Sequence, residues 1–261
     1  MTIQAPQQTV RSMRQNPETG QADYRGQSPD RCQTLELPFH DRHEAGRLLA
    51  TQLRPDPATV VLALPRGGVP VALPIAYALG APLDVLVVRK LGVPGQPELA
   101  AGAIAQGGAR VLNAEIEAGI DRQALTGIER REGRELVRRE RLFRAGRPPL
   151  LLAGRRVVLV DDGAATGATM AAAIQAARAQ GAARVAVAIP VASPETAHRL
   201  QGLADEFLCL ATPTPFHAVA SWYRHFGQVD DATVVHLLAR QSEDPARHAR
   251  QEGVIPRSAT D

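Results

Sequence analysis

Five short aliphatic runs alternate along this chain with stretches in which apolar residues recur at helical spacing. The runs cover residues 60–64, 83–88, 157–160, 185–191 and 207–210. Strands buried on both faces read as continuous aliphatic runs, and their alternation with helices is typical of crossover units around a parallel sheet. Aromatic residues make up only 3% of the 261, so Ala, Val, Leu and Ile must build the core. We predict an α/β fold with a doubly wound, mainly parallel sheet of about five strands.

Smaller features divide the chain further. Residues 1–33 and 241–261 are polar and lack a periodic apolar pattern, which predicts disordered tails around one domain at 34–240. Within that domain, 101–105 and 110–112 predict a small hairpin, and 114–148 predict a helical insertion.

Neither a secretory signal nor a long apolar stretch is present in this sequence. No segment reaches about 18 apolar residues without Pro, Gly or charge, so we expect neither export nor a membrane partner. Cys32 and Cys209 are too few for a disulfide framework. These observations predict a cytoplasmic protein.

Basic charge is concentrated in one part of the chain. The formal net charge is +3, Lys90 is the only lysine, and residues 122–156 hold 11 Arg against four Glu. Glu135 and Arg139 have the spacing of a helical ion pair, and no aromatics are interleaved for base stacking. The pattern favours a solvated helical face over a nucleic-acid surface.

The strongest chemical signal is the segment 157–170. An aliphatic strand ends in Asp161 and Asp162, and a loop of small residues with two threonines then enters a helix. Such a loop exposes backbone N–H groups at a helix N-terminus, where a phosphate fits. Carboxylates repel phosphate unless they face another part of the same ligand, and a sugar diol offers suitable donors. A ribose 5-phosphate group satisfies both halves of the motif.

Three other loop types fail on these residues. A P-loop needs Lys before its Ser or Thr, but Ala168 precedes Thr169. A dinucleotide fingerprint needs the spacing G-x-G-x-x-G. Gly163 and Gly167 do not have that spacing, and no third glycine is in register with them. A receiver domain needs a later lysine, and Lys90 lies upstream.

A second turn and a basic pair are predicted at the same edge of the sheet. The turn 65–68 follows the first strand, where Arg66 can bind a diphosphate through two donors and two glycines expose N–H groups. Arg89 and Lys90 are predicted to end another strand there, before a Gly/Pro-rich segment at 92–97 that predicts a mobile loop.

These motifs resemble the type I phosphoribosyltransferase family, whose signature is an aliphatic strand, two acids and a loop ending T-G-x-T. The resemblance extends over about residues 36–240. It is nearest to a bacterial subgroup of stand-alone phosphoribosyltransferase-like proteins with undefined acceptors, on the evidence of 64–70, 89–92 and 216–219.

The resemblance implies a reaction and a site. Asp161 and Asp162 would hold the ribose hydroxyls of phosphoribosyl pyrophosphate, and residues 164–169 would wrap the 5-phosphate. Residues 65–68 would form the pyrophosphate loop with a cis peptide. The loop after Lys90 would act as a lid. Mg²⁺ would be held mainly by the diphosphate, with no protein-built metal site. A homodimer is a further expectation.

The expected function is therefore a transferase that acts in nucleotide metabolism on an unidentified nitrogen acceptor. The alternative is a non-catalytic regulator that binds phosphoribosyl pyrophosphate. Hypoxanthine-guanine phosphoribosyltransferases carry an acid at the position of Ala165, and the loop is more similar to those of the orotate and adenine branches. The base-selecting residues of those branches cannot be placed by motif, so the acceptor stays open. The catalytic candidates are Arg66, Lys90, Asp161 and Asp162, and the substrate-binding candidates are Arg66, Gly67, Gly68, Arg89, Lys90, Asp161, Asp162, Gly163, Ala164, Ala165, Thr166, Gly167, Ala168 and Thr169.

Overall fold

The computed structural model describes residues 36–93, 96–112 and 119–243. Its helices are α1 (Arg42–Ala50), α2 (Gly68–Leu79), α3 (Arg122–Arg144), α4 (Ala168–Ala179), α5 (Pro194–Leu203) and α6 (Asp231–Glu243). Its strands are β1 (Thr59–Ala63), β2 (Leu83–Val85), β3 (Val88–Val93), β4 (Gln96–Ala105), β5 (Arg110–Leu112), β6 (Arg156–Val160), β7 (Arg184–Val191) and β8 (Glu206–Ala211).

Five parallel strands form the main sheet in the order β2-β1-β6-β7-β8. The fold class predicted from the aliphatic runs is confirmed. The chain moves outward from β1 to β2 and then returns to the other side of β1, where it forms β6. Strand order therefore reverses between β1 and β6, which is the place where open α/β sheets bind ligands.

Two aliphatic layers cover this sheet, one on each face. Val61 and Val158 point into the layer formed with α1, α2 and α6. Val60 and Leu159 point into the opposite layer, formed with α4 and α5. Because neighbouring residues of a strand face opposite ways, burial on both sides explains why the strands read as unbroken aliphatic runs.

A second sheet of three antiparallel strands, in the order β3-β4-β5, lies between β2 and β6 in the sequence. The hairpin predicted at 101–105 and 110–112 belongs to it. The strand predicted at 83–88 was wrong in extent, because Leu86 makes the last bond to β1 while the carbonyl of Val87 accepts from Gln106 at the end of β4.

The segment 92–97 also differs from the predicted mobile loop. Gly92 pairs with Ala100 and Val93 with Gln96, so β3 and β4 continue into this segment, while residues 94 and 95 lie outside the described residues. The register shifts on both sides of Gly92, and this irregularity lets a Gly/Pro-rich sequence stay in an antiparallel pair.

The predicted helical insertion at 114–148 contains helix α3 of the described residues. Asp121 accepts a hydrogen bond from the Ala124 N–H, so α3 begins at Arg122, and it ends where Ala145 adopts a left-handed conformation. Residues 113–118 lie outside the described residues.

The last helix ends later than the predicted boundary at 240. Gln241 is buried, and its side-chain amide bonds to the backbone of Ala81 and Leu83 beside β2. These two hydrogen bonds hold α6 in place through its last turns. The predicted tails otherwise lie outside the described residues, among which no helix is long and apolar enough to cross a membrane.

Candidate active site

The turn after β1 and the loop after β6 meet at the reversal of strand order. Gly67 and Gly68 lie against the acidic pair, so closely that a Cβ on Gly67 would overlap the carboxylate of Asp162. A Cβ on Gly68 would lie 2.6 Å from the carbonyl oxygen of Val160 and 3.0 Å from Cα of Asp161. The two glycines thus permit the contact between the two loops.

The acidic pair is oriented by backbone and side-chain bonds. The N–H of Asp162 donates to Oδ1 of Asp161 at 2.9 Å. The hydroxyl of Tyr223 donates to the backbone carbonyl of Asp162 at 2.6 Å. Tyr223 is buried and packs against Phe39 and Phe226, so the segment after β8 closes over one side of the pair.

Arg42, in the first turn of α1, is the cation that contacts the acidic pair. Its Nε donates to Oδ2 of Asp162 at 2.8 Å, and both side chains are largely buried. Arg42 lies 120 residues from Asp162 in the chain, and no motif in the sequence marked it as part of the site. The capping residue beside it, Asp41, signalled only the start of a helix.

Burial makes both carboxyl groups of the pair harder to ionise. Burial and the neighbouring Asp162 raise the pKa of Asp161 well above its usual range. Burial also raises the pKa of Asp162, although the hydrogen bond and positive charge of Arg42 oppose that rise. Arg42 thus favours a carboxylate at Asp162, the outer member of the pair.

Loop 163–169 is anchored on one side and open on the other. The Ala164 N–H donates to the Val191 carbonyl at 2.9 Å, and the hydroxyls of Ser193 and Thr196 both donate to the Ala165 carbonyl, at 3.0 and 2.7 Å. Those two hydroxyls at the start of α5 turn the loop carbonyl inward. They were not identified as site residues from the sequence.

The open side of this loop leads into helix α4. Ala165, Thr166, Ala168 and Thr169 are exposed, whereas Gly163, Ala164 and Gly167 lie against the protein. Gly167 has a φ of 61° and supplies no capping side chain, which leaves the first N–H groups of α4 available to a ligand. Phosphate binding by this loop stays a prediction.

Arg66 lies in the turn after β1, where the sequence placed it. The peptide bond between Pro65 and Arg66 is cis. The Arg66 guanidinium is 3.5 Å from the carboxylate of Asp231 at the start of α6, and both side chains are partly exposed. Arg66 is therefore accessible at the edge of the site.

Arg89 and Lys90 occupy different surroundings from those predicted. They lie inside β3 of the second sheet instead of ending a strand of the main sheet. The Arg89 guanidinium donates through two nitrogens to Glu132 of α3, at 2.9 and 2.6 Å, and Lys90 is exposed. The prediction missed Glu132 because a strand-to-helix ion pair 43 residues apart leaves no local pattern.

A free thiol and groups of metal-ligating side chains are the other chemical candidates among the described residues. Cys209 is a free cysteine whose pKa is raised to about 12 by burial. Over residues 36–93, 96–112 and 119–243, no group of three or more His, Cys, Asp or Glu side chains has an arrangement that could hold a metal.

Comparison with known proteins places these features in a family. A sequence model of the phosphoribosyl transferase domain matches residues 42–223. Two provisionally named phosphoribosyl transferases, from different Mycobacterium tuberculosis strains, are each 53% identical over 210 residues, which is 79% of this chain and 47% of the relative. The chain thus spans about half the length of these curated relatives.

Structural comparison agrees with the sequence match. The crystal structure of TT1426 from Thermus thermophilus superposes with a TM-score of 0.70 at 45% identity, over 77% of this chain and 98% of that one. The region matched by the family model contains Arg42, the turn after β1, loop 163–169 and Tyr223. This chain therefore belongs to the phosphoribosyl transferase family.

Proposed function

We propose that this protein transfers ribose 5-phosphate from phosphoribosyl pyrophosphate to a nitrogen acceptor. The observation that carries the proposal is the contact between the turn after β1 and the acidic pair after β6, at the switch point of a parallel sheet. In the reaction, the bond from C1 of the ribose to the diphosphate oxygen breaks, and a bond from C1 to the acceptor nitrogen forms. Pyrophosphate leaves, and the acceptor gives up one proton.

The 5-phosphate fits the open side of loop 163–169. The exposed N–H groups there and the N-terminus of α4 supply donors and partial positive charge, and no acidic side chain occurs in the first turn of α4. The hydroxyls of Ser193 and Thr196 keep the Ala165 carbonyl away from the ligand by binding it from behind.

The ribose would lie over the acidic pair. Carboxylates accept hydrogen bonds from the two ribose hydroxyls and favour the positive charge that develops at C1 as the diphosphate departs. Fixing the sugar in this way supplies orientation, which is a large part of catalysis when one reactant attacks another.

The diphosphate would lie along the turn after β1. Arg66 is accessible at this edge of the sheet beside Gly67, whereas the Gly68 N–H, which the sequence predicted to be exposed, donates to the Leu64 carbonyl at 3.0 Å. The substrate would arrive with Mg²⁺ on its phosphate oxygens. That ion would neutralise charge on the leaving group.

Lys90 and Arg89 are proposed to approach the diphosphate from the second sheet. Arg89 must exchange its bond to Glu132 for one to the ligand, and the Lys90 side chain is exposed on β3. Lys90→Ala should slow pyrophosphate release in a rapid-quench assay of single turnovers. An unchanged rate of pyrophosphate release would show that Lys90 is a surface residue with no part in the reaction.

A double substitution tests the proposal directly. Asp161→Asn with Asp162→Asn should abolish pyrophosphate release across a panel of nucleobases and leave the circular dichroism spectrum unchanged. Asp56→Asn is the matched control, because Asp56 only accepts a turn hydrogen bond from the Ala58 N–H outside the site. Full activity in the double variant would remove the acidic pair from the mechanism.

Calorimetric titration of the wild-type protein with phosphoribosyl pyrophosphate and MgCl₂ separates binding from turnover. We expect binding that the double Asn variant loses. Binding without pyrophosphate release from any acceptor would favour the regulator over the transferase, and absence of binding would contradict both.

A further inference from the structure

Arg42 lies outside the turn after β1 and outside loop 163–169, yet it contacts the Asp162 carboxylate, against which the turn packs. We infer that Arg42 is a positioning residue, which holds the Asp162 carboxylate in one orientation and offsets its charge so that it can accept hydrogen bonds from the ribose. The inference rests on the proposed function, because it takes Asp162 to be the group that receives the sugar.

Three contacts fix the Arg42 guanidinium. Nε donates to Oδ2 of Asp162 at 2.8 Å, and Nη1 donates to the backbone carbonyl of Gly227 at 2.9 Å. The central carbon lies 3.7 Å from the centroid of the Phe226 ring. A planar group with donors on two edges can satisfy both oxygens while its face rests on an aromatic ring, which a lysine ammonium cannot do.

The Asp162 carboxylate also contacts the turn after β1. A Cβ on Gly67 would overlap Oδ2, the same oxygen that accepts from Arg42. Tyr223 fixes the backbone carbonyl of Asp162. Asp162 is therefore held by α1, by the turn after β1 and by the segment after β8.

Charge explains why a cation is needed at this point. The proposed substrate carries a phosphate and a diphosphate, and two adjacent carboxylates would repel it. The charged and titratable groups that face Asp162 are its neighbour Asp161, Arg42 of α1 and Tyr223, with Cys209 of β8 interacting with Tyr223. Arg42 is the only cation in this set of described residues, and its positive charge offsets the negative charge of the Asp162 carboxylate.

A simpler reading is that Arg42 only ties α1 to the segment after β8. Loss of such a tie would lower stability and weaken binding by the same factor at every pH. A positioning role predicts a different pattern. Without the cation, Asp162 should accept a proton at higher pH, because the hydrogen bond and positive charge of Arg42 no longer oppose the rise in pKa caused by burial.

The test compares Arg42→Gln, Arg42→Lys and wild type by calorimetric titration with phosphoribosyl pyrophosphate and MgCl₂ from about pH 5 to 9. We expect Arg42→Gln to bind roughly 10 to 100 times more weakly near pH 6, as for loss of a hydrogen bond to a charged group, and to recover partly near pH 9. Arg42→Lys should lose some affinity and keep the wild-type pH profile.

Arg156→Met is the matched control. Arg156 forms a largely buried ion pair with Glu206 at 2.6 Å, at the opposite edge of the sheet. This variant should lose stability without any change in the pH profile of binding. If Arg42→Gln does not fold, Phe226→Leu removes the ring that supports the guanidinium and should give a smaller shift in the same direction.

A second measurement does not depend on ligand. Carbon-13 NMR of the labelled Asp carboxyl carbons, with the Asp162 signal assigned by its loss in Asp162→Asn, follows the titration of Asp162 in the free protein. In Arg42→Gln the midpoint should move to higher pH. An unmoved midpoint, or a uniform loss of affinity at all pH values, would overturn the positioning role. If wild type binds no phosphoribosyl pyrophosphate, the proposed function fails, while the NMR titration still decides whether Arg42 controls Asp162.

Discussion

The folded protein disfavours the ionised form of the Asp161 carboxyl group. Burial and the adjacent Asp162 raise its pKa well above the usual value of 3.8. The folded state therefore binds a proton at Asp161 more tightly than the unfolded state does. Stability contributed by the protonated form is present at low pH and is lost as pH rises through the raised pKa.

Asp161→Asn should accordingly stabilise the protein at neutral pH. The amide keeps an oxygen that can accept from the Asp162 N–H, and it removes the buried charge. We expect the Tm to rise by roughly 2 to 4 °C, or about 1 kcal/mol for a domain of this size. Calorimetric melting at several pH values checks this. The gain should shrink to nothing near pH 3.5, where both forms are neutral, and a loss of stability at pH 7 would contradict it.

Gly67 offers a second test at the level of one atom. Its φ of −61° suits any residue, so Gly67→Ala causes no backbone strain. The substitution only adds a methyl group against the Asp162 carboxylate. Overpacking of this kind costs about 1–3 kcal/mol. We expect a lower Tm and loss of the stabilisation that phosphoribosyl pyrophosphate and MgCl₂ give to wild type in a thermal melt.

Gly127→Ala controls for the loss of a glycine as such. A Cβ at Gly127, within α3, would meet nothing within 4 Å, and alanine favours a helix. Its Tm should stay the same or rise. Equal ligand stabilisation in Gly67→Ala and wild type would show that the close contact has no part in the site.

Individual residues could be predicted from the sequence where the signal was local. Asp161, Asp162 and loop 163–169 directly follow a strand, so one continuous segment of the sequence was enough to identify them as candidates. Arg42 could not be found in this way, because its role depends on a contact across 120 positions. The two glycines of the turn after β1 were recognised, but their packing against the acids needed the tertiary structure.

Among the elements, helix α3 depends on one buried ion pair. Nε of Arg144 donates to Oδ2 of Asp84 in β2 at 3.1 Å, and both side chains are less than a tenth exposed. The Leu150 N–H donates weakly to the same oxygen, at 3.4 Å. This pair connects the inserted helix to the edge strand of the main sheet.

Arg144→Met should lower the free energy of unfolding by about 3–5 kcal/mol, because it leaves the Asp84 charge buried without its partner. The double variant Arg144→Met with Asp84→Leu should recover most of that loss. Urea denaturation measures both. Arg138→Met, which breaks an exposed pair with Glu135, is the control and should leave the free energy of unfolding nearly unchanged. A single variant as stable as the control would refute the anchoring role.

Whole elements were predicted well where they were aliphatic and less well where they turned from one sheet to another. The five strands of the main sheet have buried faces that fix their composition. The run at 83–88 crosses from the main sheet to the second sheet, and nothing in its side chains marks Val87 as the point of departure. Proline and glycine at 92–97 indicated a loop, but the shifted register of β3 and β4 accommodates them.

For the molecule as a whole, a pI near 9.3 does not identify a nucleic-acid surface. In α3, Arg138 and Arg139 both bond to Glu135, and Arg131 bonds to Glu132. We expect a labelled DNA duplex to show no saturable binding below about 0.1 mM protein at physiological salt, measured by fluorescence anisotropy. Micromolar binding that weakens steeply with added salt would contradict this.

The path of the chain between β2 and β6 has an evolutionary consequence. The second sheet and α3 form one continuous excursion, which leaves the main sheet at its edge and returns at its centre. The turn after β1, loop 163–169 and Arg42 lie outside that excursion, whereas Arg89 and Lys90 lie within it. Exchange of the excursion between relatives would therefore change the cations proposed to approach the diphosphate and leave the loops proposed to hold the ribose phosphate as they are.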